Sequence, residues 1–300
     1  MHTEPVSART DELIRRWETS RIGRLYNESV ELELGVHSLA LAAQHVLCAA
    51  PFLVAMSALA REWHVGDVAF LLSDTMGLHG DAENELMRLF RPSKHDTIGS
   101  FVVGFLIAFA FATGLSATMQ RTFERIWRLP HADWRSAWRH LVWAVMTSAL
   151  FAFGLWINKA THRWEISGAS EVAVESTGTG LAAFAYFWWT QRILLRGTVR
   201  RRQLLPGAVL IGLGTTVLLV AVQIVAPEQI TEEVADYGLV GAAFILSAIL
   251  VAFSTIVLWG VFLGREVSRW ATVRRGGDLT TVQPAVEVGE PGPVEATRPA

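Results

Sequence analysis

The hydrophobic pattern of this chain consists of six long stretches without Asp, Glu, Lys or Arg, separated by charged segments. The stretches cover residues 34–60, 99–119, 141–158, 176–191, 203–227 and 238–264. An α-helix rises about 1.5 Å per residue, so roughly 20 residues cross a hydrocarbon core of about 30 Å. Four stretches reach that length, and the other two reach it if arginines at their ends extend toward the lipid headgroups. The pattern predicts an all-α fold, a six-helix transmembrane bundle.

The predicted organisation has three parts. Residues 1–36 form an N-terminal arm, in which the amphipathic spacing of Ser7–Tyr26 suggests a helix on the inner membrane surface or packed beneath the bundle, and a solvated helix fits almost as well. Residues 37–267 form the membrane domain. Residues 268–300, rich in Gly and Pro, are predicted to be a disordered tail. The predicted spans cover about 37–60, 99–119, 140–158, 177–195, 204–226 and 238–263.

The distribution of basic residues predicts the orientation of the chain. Of its 26 Lys and Arg residues, 20 lie in the N-terminal arm, the second and fourth loops and the C-terminal tail. The positive-inside rule therefore places both termini in the cytoplasm of a multi-pass protein of the inner, or plasma, membrane. The net charge of -2 adds nothing, because charge here is sorted by position.

Small residues recur every four positions along the second predicted span, which indicates a helix-packing face. The members of this stripe are Ser100, Gly104, Ala108, Ala112 and Ser116. Small side chains let two helix backbones approach closely, and close packing drives helix association in lipid. The partner helix lies either in the same chain or in a second copy, so a homo-oligomer through this face is one prediction. The lipid bilayer is the other expected partner.

One face of the first predicted span is polar at mid-depth. Gln44 and Cys48 lie on it, His45 is adjacent, and Pro51 removes a backbone hydrogen bond. A polar face inside a span is expected to contact protein or water rather than lipid. These four residues are predicted to line a crevice, and His45 is equally well interpreted as an interhelical hydrogen-bonding group.

Known catalytic and nucleotide-binding motifs are absent from the sequence, so no catalytic residue, metal ligand or cofactor is predicted. The one set that a metal-dependent nuclease could use is Glu124, His131, Asp133 and His140, on the second inward segment. The basic cluster 200–202 adjoins a predicted span, so contact with anionic lipid explains it better than nucleic acid does.

Four short motifs lie in or beside the predicted spans: Cys48-Ala49-Ala50-Pro51-Phe52-Leu53, Leu205-Pro206-Gly207-Ala208, Tyr237-Gly238-Leu239-Val240-Gly241-Ala242 and Gly264-Arg265-Glu266. They resemble motifs of the YihY / virulence factor BrkB family of bacterial inner-membrane proteins. The first resembles the family's Ser-Leu-Phe-Pro-apolar element, and the second resembles the Pro-Gly-Ala that opens its fifth span. The third resembles its Tyr-Gly-x-x-Gly-Ala, and the fourth its closing Gly-Ala-Glu, with Arg265 in place of Ala.

The resemblance implies structural roles for Pro206, Gly207, Gly238, Gly241, Gly264 and Glu266. It also implies a transporter-like function in which a small or lipid-like solute is handled, with no defined substrate and no enzymatic reaction. Two alternatives remain open at this point: a cytoplasmic-face ribonuclease, as an old family label has it, and a membrane scaffold that transports nothing.

Overall fold

The computed structural model describes residues 20–62, 98–131, 137–161, 169–237 and 239–274, and these residues form helices and short turns without any strand. A short helix, α1 (Arg21–Glu31), precedes six long ones. These are α2 (Leu34–Glu62), α3 (Ile98–Ile126), α4 (Ala137–Thr161), α5 (Ala169–Leu194), α6 (Arg201–Tyr237) and α7 (Leu239–Arg274).

Each long helix lies at one of the six uncharged stretches and extends beyond most of their ends. The six helices contain 29, 29, 25, 26, 37 and 36 residues, so each is long enough to cross a bilayer. Within the described ranges, two helical segments are both long and apolar enough to span a membrane, Arg201–Ile224 and Ala243–Arg274. A third candidate combines Arg21–Glu31 with Leu34–Ala49, which meet at a 50° bend.

The bend between α1 and α2 has a local cause. Ser20 caps the start of α1 by accepting a 2.9 Å hydrogen bond from the backbone N–H of Gly23. The helix ends at Glu31 with Leu32 as its C-cap, and Glu33 then adopts a left-handed conformation with φ of 51°. A left-handed residue cannot continue a right-handed helix, so the chain changes direction before α2 begins.

A buried apolar core lies where α3 and α5 end and α6 begins. Phe123, Ile126, Leu194, Leu204 and Phe262 are almost completely buried there. Arg128 and Arg196, in the turns that follow α3 and α5, and Arg265 on α7 lie at this same end through the contacts described below. We call it the arginine-rich end.

Glycines bring α5, α6 and α7 into backbone contact. A Cβ built on Gly264 would lie well inside 3.0 Å of the Gly207 backbone, and one on Gly212 would lie 2.8 Å from the Gly180 carbonyl oxygen. Gly260 faces Ile211 at a similarly short distance. Because side chains are absent, the helices approach as closely as their backbones allow.

The predicted tail boundary at residue 268 is wrong for residues 268–274, which continue α7 as helix. The Ser268 hydroxyl donates a 2.6 Å hydrogen bond to the Gln203 carbonyl oxygen on α6. The Arg274 guanidinium lies 3.5 Å from the centre of the Trp270 ring. These contacts stabilise two further turns that the Gly and Pro content of the tail does not indicate. Residues 275–300 and residues 1–19 of the predicted arm lie outside the described residues.

Candidate functional site

The polar face predicted on α2 lies against α3 and α7. The Gln44 side-chain amide donates a 2.9 Å hydrogen bond to the Thr118 hydroxyl on α3. Its Oε1 atom is buried and has no hydrogen-bond partner within the described ranges. A buried amide with one unused acceptor can receive a further hydrogen bond from water or a solute.

His45 joins α2 to α7. Its Nδ1 lies 2.9 Å from the Leu41 carbonyl oxygen and 3.2 Å from the Ser254 hydroxyl. A carbonyl oxygen only accepts hydrogen bonds, so we assign the ring proton to Nδ1, which leaves Nε2 as the basic nitrogen. The ring also packs edge-on against Phe253, with centroids 5.7 Å apart.

The other two predicted residues of this face, Cys48 and Pro51, are half-buried. The Cys48 thiol lies 3.9 Å from the Ala108 carbonyl oxygen, which belongs to the small-residue stripe of α3. Ala108 and Ser116 are buried within the single chain, and Gly104 and Ala112 are half-buried. The side chain of Ser100 lies outside the described residues. At Ala108 the stripe contacts α2 of the same chain, whereas a homo-oligomer through this face stays a prediction.

A second polar contact, between α4 and α5, was not predicted. The Thr147 and Tyr186 hydroxyls lie 2.9 Å apart, and the Trp143 indole N–H donates a 3.2 Å hydrogen bond to the Thr190 hydroxyl. Gln191, next to Thr190, is completely buried, and both of its amide atoms lack hydrogen-bond partners among the described residues. The i, i+4 spacing of Tyr186 and Thr190 in an uncharged stretch is the sequence signal for this contact.

The structure brings most of the family-like motif residues to one place. Pro206 and Gly207 on α6 lie directly against Gly264 on α7, and Glu266 follows two residues later on α7. The Gln191 Oε1 atom would lie 3.2 Å from a Cβ on Gly207, so the buried amide adjoins this contact. Gly241 is buried near the start of α7, and Gly238 lies outside the described residues.

Arg265 joins several helices at the arginine-rich end, and its side chain is buried there, with 3% exposed. Its Nη2 lies 2.6 Å from Glu28 on α1 and 2.7 Å from Glu266, and its Nη1 donates to the Ile126 carbonyl oxygen at the end of α3. Arg128 contacts the same Glu28 oxygen at 3.1 Å. One buried guanidinium therefore connects α1, α3 and α7.

The carboxylate of Glu124, also buried, lies at the same end. It accepts a 2.7 Å hydrogen bond from the Gln120 amide and lies 3.7 Å from Arg196. Arg196 also donates a 2.8 Å hydrogen bond to the Pro130 carbonyl oxygen. Arg128 and Arg196 are both left-handed, with φ of 52° and 58°, and their side chains contact Glu28 and Glu124, respectively.

The residues considered for a nuclease are only partly brought together. His131 lies 3.6 Å from Glu124, His140 has a buried Nδ1 without a hydrogen-bond partner in the described chain, and Asp133 lies outside the described residues. Across the parts of the chain that the structure covers, no three His, Cys, Asp or Glu residues are grouped so that they could hold a metal ion. Glu124 contacts Arg196 and Gln120 in addition to His131.

Comparisons with models of known protein families, with curated proteins and with solved structures gave no match.

Proposed function

We propose that this chain is a multi-pass inner-membrane protein of the YihY/BrkB type that handles a small or lipid-like solute without catalysing a reaction. In this proposal α2 to α7 cross the membrane, and the arginine-rich end and both termini are cytoplasmic. The excess of basic residues in the segments at that end supports this orientation.

Large apolar side chains on the outside of the helices support the membrane location. Leu106, Leu150, Leu181, Leu213 and Phe244 are each 47% exposed or more, and they belong to five different long helices. Exposed apolar surface of this extent is unfavourable in water, whereas lipid tails cover it without cost.

The observation that carries the functional proposal is the set of polar contacts between long helices. Three side-chain contacts each join two helices: Gln44 with Thr118, His45 with Ser254, and Tyr186 with Thr147. Gln44 and Gln191 also retain buried amide atoms without partners in the described part of the chain. Polar groups inside a membrane domain are energetically costly. They are therefore found along solute pathways more often than on lipid-facing surfaces.

Cysteine labelling tests this proposal directly. Cys48 is the single cysteine, so a Cys48→Ala variant provides a background without thiols. We expect cysteines at positions 44, 45 and 48 to react with a membrane-impermeant aqueous thiol reagent, and a solute that enters the pathway to slow the reaction. Leu47, which is 56% exposed on the same helix, gives the matched control, because a cysteine there would face lipid and stay unreactive.

Complete protection of positions 44, 45 and 48 would contradict a solute pathway. That result would favour the scaffold alternative, in which the polar contacts only fix the packing of the helices.

A further inference from the structure

We propose that Arg265 and Arg128 form a binding site for the anionic group of a ligand, a carboxylate or a phosphate, and that Glu28 occupies this site in the absence of ligand. The proposal deepens the proposed function by naming the chemical class of the ligand, and it rests on the cytoplasmic position of the arginine-rich end.

The geometry around Glu28 is that of a bound anion. One carboxylate oxygen, Oε1, lies 2.6 Å from Arg265 Nη2 and 3.1 Å from Arg128 Nη2. Guanidinium groups offer fixed, planar donors that match the oxygens of carboxylates and phosphates. Arg265 is 3% exposed, so its guanidinium is withdrawn from water while Glu28 is in place.

Groups other than Glu28 hold the side chain of Arg265 and the backbone of Arg128. The Arg265 Nε atom donates to Glu266 at 3.0 Å, and Nη1 donates to the Ile126 carbonyl oxygen. Arg128 is fixed in the turn after α3, where its backbone N–H donates a 3.1 Å hydrogen bond to the Arg125 carbonyl oxygen. The site is thus built by α3 and α7, and α1 supplies only the occupant.

The charges at this position favour an anion from outside the long helices. Arg265 and Arg269 share the carboxylate of Glu266, at 2.7 Å and 3.2 Å, whereas Arg128 pairs with Glu28. Without Glu28, Arg265 and Arg269 would share the single carboxylate of Glu266, and Arg128 would lose its ion pair. A second anion at the position of Glu28 would restore a partner to Arg128 and to Arg265.

The segment that carries Glu28 can move separately from the long helices. α1 is joined to α2 through the 50° bend at Leu32 and Glu33. Its Ile22, Tyr26 and Val30 are more than half exposed, so this side of α1 has no protein neighbour in the part of the chain that is described. Movement of α1 would withdraw Glu28 and open the two arginines to a ligand.

Binding of inorganic phosphate to the purified full-length protein in detergent micelles tests this site. Because Glu28 is tethered to the site, its carboxylate competes with phosphate as a free carboxylate at about millimolar concentration would. We therefore expect Glu28→Gln to bind phosphate roughly tenfold more tightly than the unmodified protein, with an intermediate gain in Glu28→Asp. Glu31→Gln, an exposed position on the same helix, is the matched control and is expected to leave the affinity unchanged.

Two further measurements separate the alternatives. The double variant Glu28→Gln, Arg128→Gln is expected to lose the gain, because one of the two guanidinium groups is removed. In nanodiscs, phosphatidylglycerol in place of a neutral lipid should weaken phosphate binding by Glu28→Gln if a lipid headgroup is the natural ligand, and leave it unchanged if the ligand is a free solute.

Equal phosphate binding by Glu28→Gln, Glu31→Gln and the unmodified protein would overturn the proposal. Phosphate binding without any labelling at positions 44, 45 and 48 would retain this site while contradicting the solute pathway, so the two proposals fail separately.

Discussion

Two neighbouring residues of α7 join the helices in opposite ways. Gly264 has no side chain, and its backbone lies directly against Gly207 on α6. Arg265 has a long charged side chain, which extends to Glu28 on α1 and to the Ile126 carbonyl oxygen on α3. The first contact depends on shape, and the second depends on charge.

The difference shows which parts of the molecule can rearrange. A backbone contact between glycines has one arrangement, because nothing can be moved aside to make room. An ion pair can exchange one partner for another of the same charge, with little change in the position of the helices. We therefore interpret α5, α6 and α7 as the fixed part of the bundle and α1 as the part that can be displaced.

The largest effect is expected from Arg265→Gln, which leaves Glu28 and Glu266 without their buried partner. Removing one member of a buried ion pair costs about 3–5 kcal/mol of the free energy of unfolding. Reversible unfolding in mixed micelles measures this loss. Arg125→Gln serves as the control, because its side chain is 48% exposed and such pairs contribute less than about 1 kcal/mol. Equal losses in the two variants would show that Arg265 is not buried as described.

A smaller loss is expected from Gly264→Ala, in which the added methyl group meets the Gly207 backbone. Overpacking of a tight contact costs about 1–3 kcal/mol. Gly178→Ala on α5 is the matched control: nothing in the described chain lies within 4 Å of a methyl group built there, so the better helix propensity of Ala should stabilise the protein by about 0.5–1 kcal/mol. The same unfolding measurement on both variants shows whether each substitution raises or lowers the free energy of unfolding. A stabilised Gly264→Ala would contradict the close approach of α6 and α7.

The smallest effect is expected from Thr118→Val, which removes the acceptor for the Gln44 amide at nearly constant volume. Hydrogen bonds between membrane helices contribute about 0.6 kcal/mol on average. Thr255→Val makes a useful comparison, since the Thr255 hydroxyl donates to the Val251 carbonyl oxygen of its own helix. If both variants lose the same stability, the contact between Gln44 and Thr118 does not join α2 to α3.

The positions of the long helices could be predicted from the sequence because each of them contains one long stretch without charged residues. The polar face of α2 was found for the same reason, since Gln44 and His45 interrupt an otherwise apolar stretch. The end of α7 was placed too early: Gly and Pro beyond residue 275 indicate disorder, but they do not mark where the helix stops. The helix continues through Ser268, whose hydroxyl donates a hydrogen bond to the Gln203 carbonyl oxygen on α6.

The arginine-rich end could not be predicted, because its contacts join residues far apart in the chain. Glu28 and Arg265 are separated by 237 positions. Arginines near the ends of spans usually extend toward water or headgroups, so nothing in the local sequence indicates that Arg265 is buried. The sequence contains one signal for this buried arginine: Arg265 stands next to Gly264 at the Ala position of a motif that resembles Gly-Ala-Glu.

The most direct measurement of the central claim, six crossings with both ends inside, is labelling of single cysteines in intact cells with a membrane-impermeant maleimide. In the Cys48→Ala background, cysteines at positions 62, 161 and 237, where α2, α4 and α6 end, should react from outside. Cysteines at positions 128, 198 and 274 should react only after the cells are permeabilised. Reaction of position 198 or 274 from outside, or no reaction at 161, would contradict the six-span arrangement.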